Sequence, residues 1–242
     1  MSTSYNKRYI RSGSYRSDHK EGRYMKKYVR GLLLFVACVS LLGGCSRSGK
    51  GKEEFAENTL YVAEDGSVSW TSVETYSQGD YKTEELEEFV GARISAFNQS
   101  LGKASAYKSD HEGEPLPVFL ESVQMEEGKA VLVTGYDVPS RLVEFSADIG
   151  DSTMPFVSIE TGRAAVVADL EQTSYIDGKG QEADKKTLSD TVLKGTDLAV
   201  KTSGQGVIAT EKKIQYVSQG CELLGERMVR TASEGTSYII LE

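Results

Sequence analysis

Cys45 is the residue of this sequence whose type and position most clearly imply chemistry. It follows Leu42-Gly43-Gly44, where an apolar run from Gly31 to Leu42 gives way to polar sequence. Three basic residues precede that run: Lys26, Lys27 and Arg30. A basic segment followed by a short apolar one is the layout of a secretory signal. The run has 12 residues, too few to span a bilayer core, which needs about 20. The sequence therefore predicts export from the cytoplasm.

The segment Leu42-Gly43-Gly44-Cys45 resembles the lipobox of bacterial lipoproteins. Small residues before the cysteine let a protease approach the backbone closely, and the resemblance implies cleavage between Gly44 and Cys45. It also implies that the Cys45 sulfur is diacylated and that Cys45 becomes the mature N-terminus. We therefore expect residues 25–44 to be a lipoprotein signal peptide, and the protein to be lipid-anchored on the extracytoplasmic face of the cell membrane. A plain signal peptide, or a buried apolar helix with an incidental cysteine, is the alternative interpretation.

Residues 1–24 are rich in Ser, Tyr and basic side chains and show no apolar periodicity. A secretory signal usually begins a few residues before its apolar run, and Met25-Lys26-Lys27 is a natural beginning. We expect Met25 to be the initiator and residues 1–24 to be an over-extended, disordered start. An unusually long basic segment that is removed on processing is the alternative.

The net charge of the chain changes sign at Cys45. Residues 1–45 hold nine Lys and Arg against two Asp and Glu, whereas residues 46–242 hold 19 against 34, a net charge of −15. Nucleic-acid binding depends on basic residues that neutralise phosphates, and anionic headgroups attract basic segments. We therefore expect no nucleic-acid partner, and no membrane contact of the exported part beyond its lipid. A solvated acidic surface is favoured over an acidic binding face.

Cysteine and histidine usage predicts a domain without disulfide, metal or cofactor. With Cys38 removed and Cys45 acylated, Cys221 is left alone, and we interpret it as a small buried hydrophobic residue. His111 is the one histidine of the mature chain, whereas a zinc site needs several imidazoles or thiolates at fixed spacings. We expect the domain to fold without metal, disulfide or nucleotide.

Two motif-like patterns are considered and rejected. Three short segments are similar to the motifs of penicillin-recognising serine enzymes: Ser100-Leu101-Gly102-Lys103, Ser189-Asp190-Thr191 and Lys201-Thr202-Ser203. The first serine falls at the wrong end of a predicted helix, the second segment lacks its terminal Asn, and the third lacks its Gly. Gly204–Ala209 matches a dinucleotide fingerprint in spacing, but a strand-like sequence follows it, so a tight turn is favoured.

The periodicity of the chain predicts an α+β fold, mainly antiparallel sheet with one principal amphipathic helix, preceded by a cleaved signal segment. The helix is expected over Thr83–Leu101, with Thr83 as N-cap, Gly102 as its stop and an inward stripe. That stripe consists of Leu86, Phe89, Val90, Ile94, Phe97 and Leu101. Residues 45–58 are expected to be the lipidated cysteine and a flexible tether, and residues 59–242 an extracytoplasmic domain with a subdivision near 150–190.

Turn residues between apolar runs predict the strands. Asp-Gly and Glu-Gly pairs indicate hairpins at residues 60–70 and 118–134, and a short helix is expected over Ser140–Phe145. Strands are also predicted at Pro155–Ile159 and Ala164–Leu170, on either side of a turn at residues 160–163. Five further short strands are expected: Leu198–Val200, Ile214–Val217, Cys221–Leu224, Met228–Thr231 and Tyr238–Leu241. Asp177–Asp190 is expected to be loop with a helical turn.

The region after the tether resembles small uncharacterised lipoproteins of clostridial-type Gram-positive bacteria. The resemblance rests on Leu60-Tyr61-Val62, Gly66-x-Val68, Tyr81, Glu85-Leu86-x-x-Phe89-Val90 and Asn98. It covers about a third of the chain, implies a membrane-anchored domain on the outer face of the cell, and supplies no catalytic residues.

Two functions follow as hypotheses. The first is a non-enzymatic envelope protein that binds a protein, peptide or glycan partner. The alternative is an exported hydrolase of cell-wall material that uses an unlocated carboxylate pair. Trp70, Tyr76 and Tyr81 could line a binding groove, although strand spacing favours core or sheet-surface positions. A deep cleft with facing carboxylates would favour the enzyme, and a shallow aromatic-lined groove would favour binding.

Overall fold

Two β-sheets account for most of the chain that the structure describes. The structure is a computed structural model, and it describes residues 55–77, 82–109, 115–126, 128–184, 186 and 188–242. Within these ranges the chain forms twelve strands and two α-helices, mostly in antiparallel pairings. The predicted α+β class with dominant sheet is therefore confirmed, while residues 1–54, including Gly44 and Cys45, lie outside the described residues. The proposed domain boundaries stay predictions.

One sheet has seven strands and the other has five. In chain order the strands are β1 (Thr59–Val62), β2 (Val68–Thr75), β3 (Val118–Glu126), β4 (Lys129–Tyr136), β5 (Ser158–Arg163), β6 (Tyr175–Asp177), β7 (Leu198–Ser203), β8 (Val207–Thr210), β9 (Ile214–Ser218), β10 (Glu222–Gly225), β11 (Met228–Arg230) and β12 (Thr236–Leu241). The larger sheet has the order β10-β11-β8-β1-β2-β4-β3, and the smaller one β5-β7-β12-β9-β6. Only β1 and β8 pair in parallel among the described strands.

Both predicted hairpins are confirmed. Strands β1 and β2 meet through Val62 opposite Val68, and Gly66 in their turn has a φ of +85°, a conformation that favours glycine. Strands β3 and β4 meet through Glu126 opposite Lys129. Turn chemistry is local, so the sequence is sufficient to place these two hairpins.

The principal helix is confirmed as α1, Thr83–Ser100, but its ends and its inner face differ in part from the prediction. Lys82, not Thr83, occupies the N-cap position, and no side chain caps it. Ile94 and Phe97 are buried, whereas Phe89 is 46% exposed and Leu101, beyond the last helical turn, is 41% exposed. Phe89 lies at the rim of the stripe, where the Arg93 guanidinium stands 5.5 Å from the centre of its ring.

The prediction for residues 155–170 is wrong. The expected turn at residues 160–163 is part of β5, which pairs with β7 from Ser158 opposite Ser203 to Arg163 opposite Leu198. The expected second strand is irregular, ending in a short 3₁₀ helix at Leu170–Gln172. Pairing with a distant strand overrides the turn preference of Thr-Gly, as tertiary context commonly does for strands. Two strands, β6 and β8, were also missed.

The remaining predicted elements are confirmed in outline. The short helix is α2, Ser140–Ile149, one turn longer than expected and ending at Gly150 in the left-handed conformation. The five short C-terminal strands correspond to β7, β9, β10, β11 and β12. The loop of residues 177–190 leads into a single helical turn at Leu188–Val192.

The core lies between the sheets and extends beneath the helices. Leu60, Val62 and Ile208 of the larger sheet share one buried cluster with Val217 and Ile239 of the smaller sheet. Trp70 belongs to this core, with its ring 6.2 Å from Phe156 in an edge-on arrangement, so it does not line a groove. A second cluster joins the segment 164–193 to the other face of the smaller sheet. Among the described residues, no helix is long and apolar enough to cross a membrane.

Candidate functional site

The residues that the sequence singled out for chemistry are not brought into one site. Cys45 and His111 lie outside the described residues. Cys221 is buried, with its sulfur 3.5 Å from the Ser218 hydroxyl, which confirms its interpretation as a small core residue. No group of three or more His, Cys, Asp or Glu side chains in the described ranges could hold a metal ion.

The two rejected motifs have ordinary structural roles. The Ser100 hydroxyl donates to the Phe97 carbonyl of its own helix at 2.7 Å, and the Thr202 hydroxyl donates to the Ser158 carbonyl at 2.7 Å. Gly204 has a φ of +104° in a tight turn. The strand β8 follows this turn directly, where a dinucleotide fingerprint would require a helix.

A cleft of about 290 Å³ lies where the two sheets approach each other. It is lined by a turn and a strand of the smaller sheet and by a turn of the larger sheet. The turn after β6 supplies Asp177 and Lys179, the start of β9 supplies Gln215 and Tyr216, and the turn between β10 and β11 supplies Glu226. Lys213, just before β9, completes this wall. We call this set the distal cleft.

The turn after β6 is held tightly against β9. The Asp177 carboxylate accepts hydrogen bonds from the backbone N–H groups of Lys179 and Gln181, each at 2.9 Å. The Gly178 N–H donates to the Gln215 carbonyl at 3.0 Å. A Cβ on Gly178 would lie 2.8 Å from the Ile214 carbonyl oxygen, so this close approach requires glycine. The Asp177 carboxylate is therefore engaged in its own turn.

A β-bulge places Gln215 at the cleft. Tyr216 pairs with Ile240 and Ile214 pairs with Leu241, so Gln215 has no opposite residue on β12. Bulges redirect side chains and are frequent beside functional sites. The Gln215 Oε1 atom is buried and has no hydrogen-bond partner. Buried polar atoms nearly always have a partner, so an orphan acceptor is a feature that calls for an explanation.

Charges of both signs line the distal cleft. The Lys213 ammonium lies 2.7 Å from the Glu226 carboxylate. This hydrogen bond raises the pKa of Lys213 and lowers the pKa of Glu226, although an exposed pair of this kind adds little stability. Lys179 is exposed and forms no ion pair with the residues described. The cleft therefore offers charged donors and acceptors side by side.

A second groove, of about 350 Å³, runs along α1 and is acidic. Glu84, Glu87 and Glu88 line it with Tyr107, whose ring packs 3.0 Å from where a Cβ on Gly91 would lie. Lys108 already pairs with Glu87 at 3.2 Å. The groove is a solvated acidic helix face with one aromatic wall, and it contains no orphan polar atom among the described residues.

Glu74 and Asp151 are the carboxylates that come nearest to the pair expected of a hydrolase. Glu74 is exposed near the end of β2, but neighbouring atoms desolvate its carboxyl in part, and this, followed by the charge of Asp151, raises its pKa. A raised pKa beside a second carboxylate is typical of a general acid. Neither residue lines the distal cleft or the groove along α1.

Glu74→Gln should raise the melting temperature at pH 7 by a degree or so, a gain of less than about 1 kcal/mol because the site is partly exposed. The Glu74 carboxyl keeps its proton to higher pH in the folded protein than in the unfolded chain. The contribution of Glu74 to the free energy of unfolding therefore falls as the pH rises above 4.5. The gain of the variant should therefore shrink on acidification. Thermal unfolding between about pH 3 and pH 7 measures it, with Glu84→Gln on exposed α1 as control. A gain that grew at low pH would contradict the expectation.

The sequence predicted none of the residues of the distal cleft as functional. Residues 214–217 were recognised as a strand, but a bulge depends on the partner strand and leaves no mark in local periodicity. The comparisons with known proteins add no assignment, since no family model matches the chain and no curated protein or solved structure is significantly similar to it.

Proposed function

We propose that this chain is a lipid-anchored envelope protein on the extracytoplasmic face of the cell membrane, with a folded domain that binds a partner and does not catalyse a reaction. The observation that carries the proposal is the position of Cys45, directly after a 12-residue apolar run that basic residues precede. Acyl chains on Cys45 attach the protein to the membrane, because anionic headgroups repel the rest of the mature chain, which has a net charge of −15. The same charge disfavours a nucleic-acid partner.

The distal cleft supports the binding part of the proposal. It is an open cleft lined by mixed donors and acceptors, the kind of surface that fixes the orientation of a ligand. Hydrolysis would instead use two carboxylates facing each other across the substrate, whereas in the cleft Asp177 is engaged with the backbone of its own turn and Glu226 is paired with Lys213. The partner is a protein, peptide or glycan of the envelope.

Cys45→Ala should abolish acylation and release the protein from the membrane. The variant removes the only atom to which the diacylglyceryl group can be attached under this proposal. Expression in the native or a related cell with an alkyne-tagged palmitate measures the label, and fractionation measures membrane retention. We expect at least a tenfold loss of label.

Cys38→Ala is the matched control, since it removes a cysteine of the same apolar run without touching the cleavage site. It should label and fractionate as the parent protein does. Full labelling of Cys45→Ala would overturn the proposed anchor. Loss of label in both variants would show damage to export, and export would then be tested with a reporter fused after residue 58.

An exported cell-wall hydrolase is the second candidate, and the raised pKa of Glu74 beside Asp151 favours it. A general acid of this kind must be protonated when it donates to the leaving group. Release of soluble fragments from purified cell wall is the measurement. Activity that is present in the parent protein and lost in both Glu74→Gln and Asp151→Asn would establish this candidate in place of the binding function.

A further inference from the structure

Strand β3 is the longest edge strand of the two sheets that the structure describes, with nine residues. The opposite edge strand of the larger sheet, β10, has four residues and an irregular register with β11. In the smaller sheet, Glu182 bridges the outer side of β6, and α2 packs against β5. Edge strands carry unpaired backbone N–H and C=O groups with which another chain can pair.

The first half of the β3 edge already pairs with an extended segment. The Leu120 N–H donates to the Tyr107 carbonyl at 2.7 Å, and Lys108 and Leu120 form an isolated parallel bridge. Beyond Leu120, no residue in the described ranges pairs with Ser122–Glu126 on the side away from β4. Within the part of the chain described, the second half of the edge is therefore open to an added strand.

Helix α1 runs antiparallel to β3. The Asn98 side chain, near the end of the helix, bonds the backbone N–H and C=O of Val118, the first residue of β3. Two helical turns earlier, Gly91 lies against the ring of Tyr107, whose carbonyl accepts the hydrogen bond from Leu120. The first two turns of α1 therefore lie alongside the second half of β3.

These two turns carry the carboxylates of the groove along α1: Glu84, Glu87 and Glu88. Glu84 belongs to the first turn, where a carboxylate stabilises the positive end of the helix dipole, but Glu87 and Glu88 lie beyond that turn. No Lys, Arg or His is among the described residues that line the groove. Together with Ser122–Glu126, these glutamates form a surface that we call the acidic edge.

A lysine of the chain itself shows how the acidic edge receives a cation. The Lys108 ammonium lies 3.2 Å from the Glu87 carboxylate and 5.5 Å from the centre of the Tyr107 ring. A carboxylate and an aromatic face together favour an ammonium group. The Lys108 side chain is 61% exposed, and Glu84 and Glu88 are exposed on the same helix face, so further cations can bind beside it.

The backbone and the charge of this surface together define its partner. Pairing with the open half of β3 requires a polypeptide in extended conformation, and the glutamates require positive charge. A second copy of the acidic edge would meet like charges and fits less well. Val123 of β3 packs on the same core cluster as Val90 of α1, so alternate residues of an added strand point to the side of the sheet that α1 covers.

We propose that the acidic edge binds an extended, basic segment of another envelope protein, which adds to β3 as a strand and directs Lys or Arg at every second position toward the glutamates of α1. The inference rests on the binding part of the proposed function, for which it names a surface and a partner class. It does not depend on the lipid anchor, and the acidic edge shares no lining residue with the distal cleft.

The test is calorimetric titration of the full chain, purified in detergent, with the peptide acetyl-Lys-Thr-Lys-Thr-Lys-Thr-amide. Threonine favours extended backbone, and lysine occupies every second position. The same peptide with glutamate in place of lysine is the comparison ligand. We expect the basic peptide to bind, with an affinity that falls as salt is added, and the acidic peptide to bind at least tenfold more weakly.

Two further peptides separate strand addition from charge attraction alone. One is N-methylated at its three lysines and the other at its three threonines, so both keep the charge but lose different N–H groups. An added strand directs the N–H groups of alternate residues to its neighbour. One of the two peptides should therefore lose at least tenfold in affinity while the other binds as the unmodified peptide does. Equal affinities of the two would overturn strand addition.

The double variant Glu84→Gln/Glu88→Gln should weaken binding of the basic peptide about fivefold or more, the effect expected for the loss of two exposed ion pairs. Both residues are exposed, so the variant keeps the fold. Glu171→Gln/Glu234→Gln changes the net charge equally at exposed positions outside the acidic edge and should bind as the parent protein does. In hydrogen exchange, the peptide should protect amides of Ser122–Glu126 more than those of β10.

Three results would overturn the inference: no binding of the basic peptide at about millimolar concentration, unchanged binding in Glu84→Gln/Glu88→Gln, or no added protection of Ser122–Glu126. The basic run of the tether, with Arg47, Lys50 and Lys52, is the competing occupant. Tighter peptide binding after all three are replaced by Ser would assign the acidic edge to the tether and overturn the proposed partner.

The same titration on Cys45→Ala separates this inference from the proposed anchor. Peptide binding without acylation would leave the acidic edge in place and remove the anchor. Acylation of the parent protein without peptide binding would keep the anchor and overturn the inference.

Discussion

Phe97→Ala should lower the free energy of unfolding by about 3–5 kcal/mol, the usual cost of removing a buried aromatic ring. Phe97 is only 7% exposed, and its ring lies 5.2 Å from that of Phe145 in α2 at an interplanar angle of 68°. This edge-on pair joins the two helices above the larger sheet, so the cavity would open at the point where three elements meet. Denaturant unfolding measures the change.

Phe89→Ala is the matched control for Phe97→Ala, because it removes the same side chain from an exposed position of the same helix. We expect a cost below about 1 kcal/mol for this variant. Equal costs for the two variants would contradict the burial of α1 described here.

Asn98→Ala should cost about 3–5 kcal/mol, even though it removes few atoms. The side chain is fully buried. Its amide donates to the carbonyls of Ala106 and Val118 at 2.9 and 2.8 Å, and its oxygen accepts from the Val118 N–H at 3.0 Å. The truncation would leave the buried N–H and carbonyl of Val118 and the partly buried carbonyl of Ala106 without this partner, and each buried group costs about 1–3 kcal/mol before relaxation.

Gln99→Ala removes an exposed amide from the next position of the helix and serves as the control for Asn98→Ala. It should change stability by less than about 0.5 kcal/mol. Hydrogen exchange adds a local measurement, since the Val118 amide should lose protection in Asn98→Ala more than amides of β12 do. A small, uniform change would show that water replaces the lost hydrogen bonds.

The sequence allowed α1 and the hairpins to be predicted because their determinants are local. Leu86, Val90, Ile94 and Phe97 recur at helical spacing, and Asp65-Gly66 fixes the first turn. The same reasoning included Phe89 in the core, since spacing alone does not show where a packed stripe ends. The structure shows that its centre lies nearer Ile94 and Phe97.

Features that depend on distant partners could not be predicted in this way. The Thr-Gly pair at residues 161–162 favours a turn by itself, yet its register with Val200 and Ala199 makes it a strand. The role of Asn98 depends on a backbone segment 20 residues later. The orphan side-chain oxygen of Gln215 lies at a bulge opposite β12. Cys45 is the reverse case, because the prediction of its acylation rests on neighbouring residues alone.

The parallel pairing of β1 with β8 has a consequence for how the protein is made. Thr59 is aligned with Val207, 148 positions later, so during N-terminal-first synthesis β1 is made long before the strand that pairs with it. Until then β1 is an open edge beside β2, and the long loop that closes this contact slows folding. An unpaired edge of this kind is a template for aggregation until the later strand covers it.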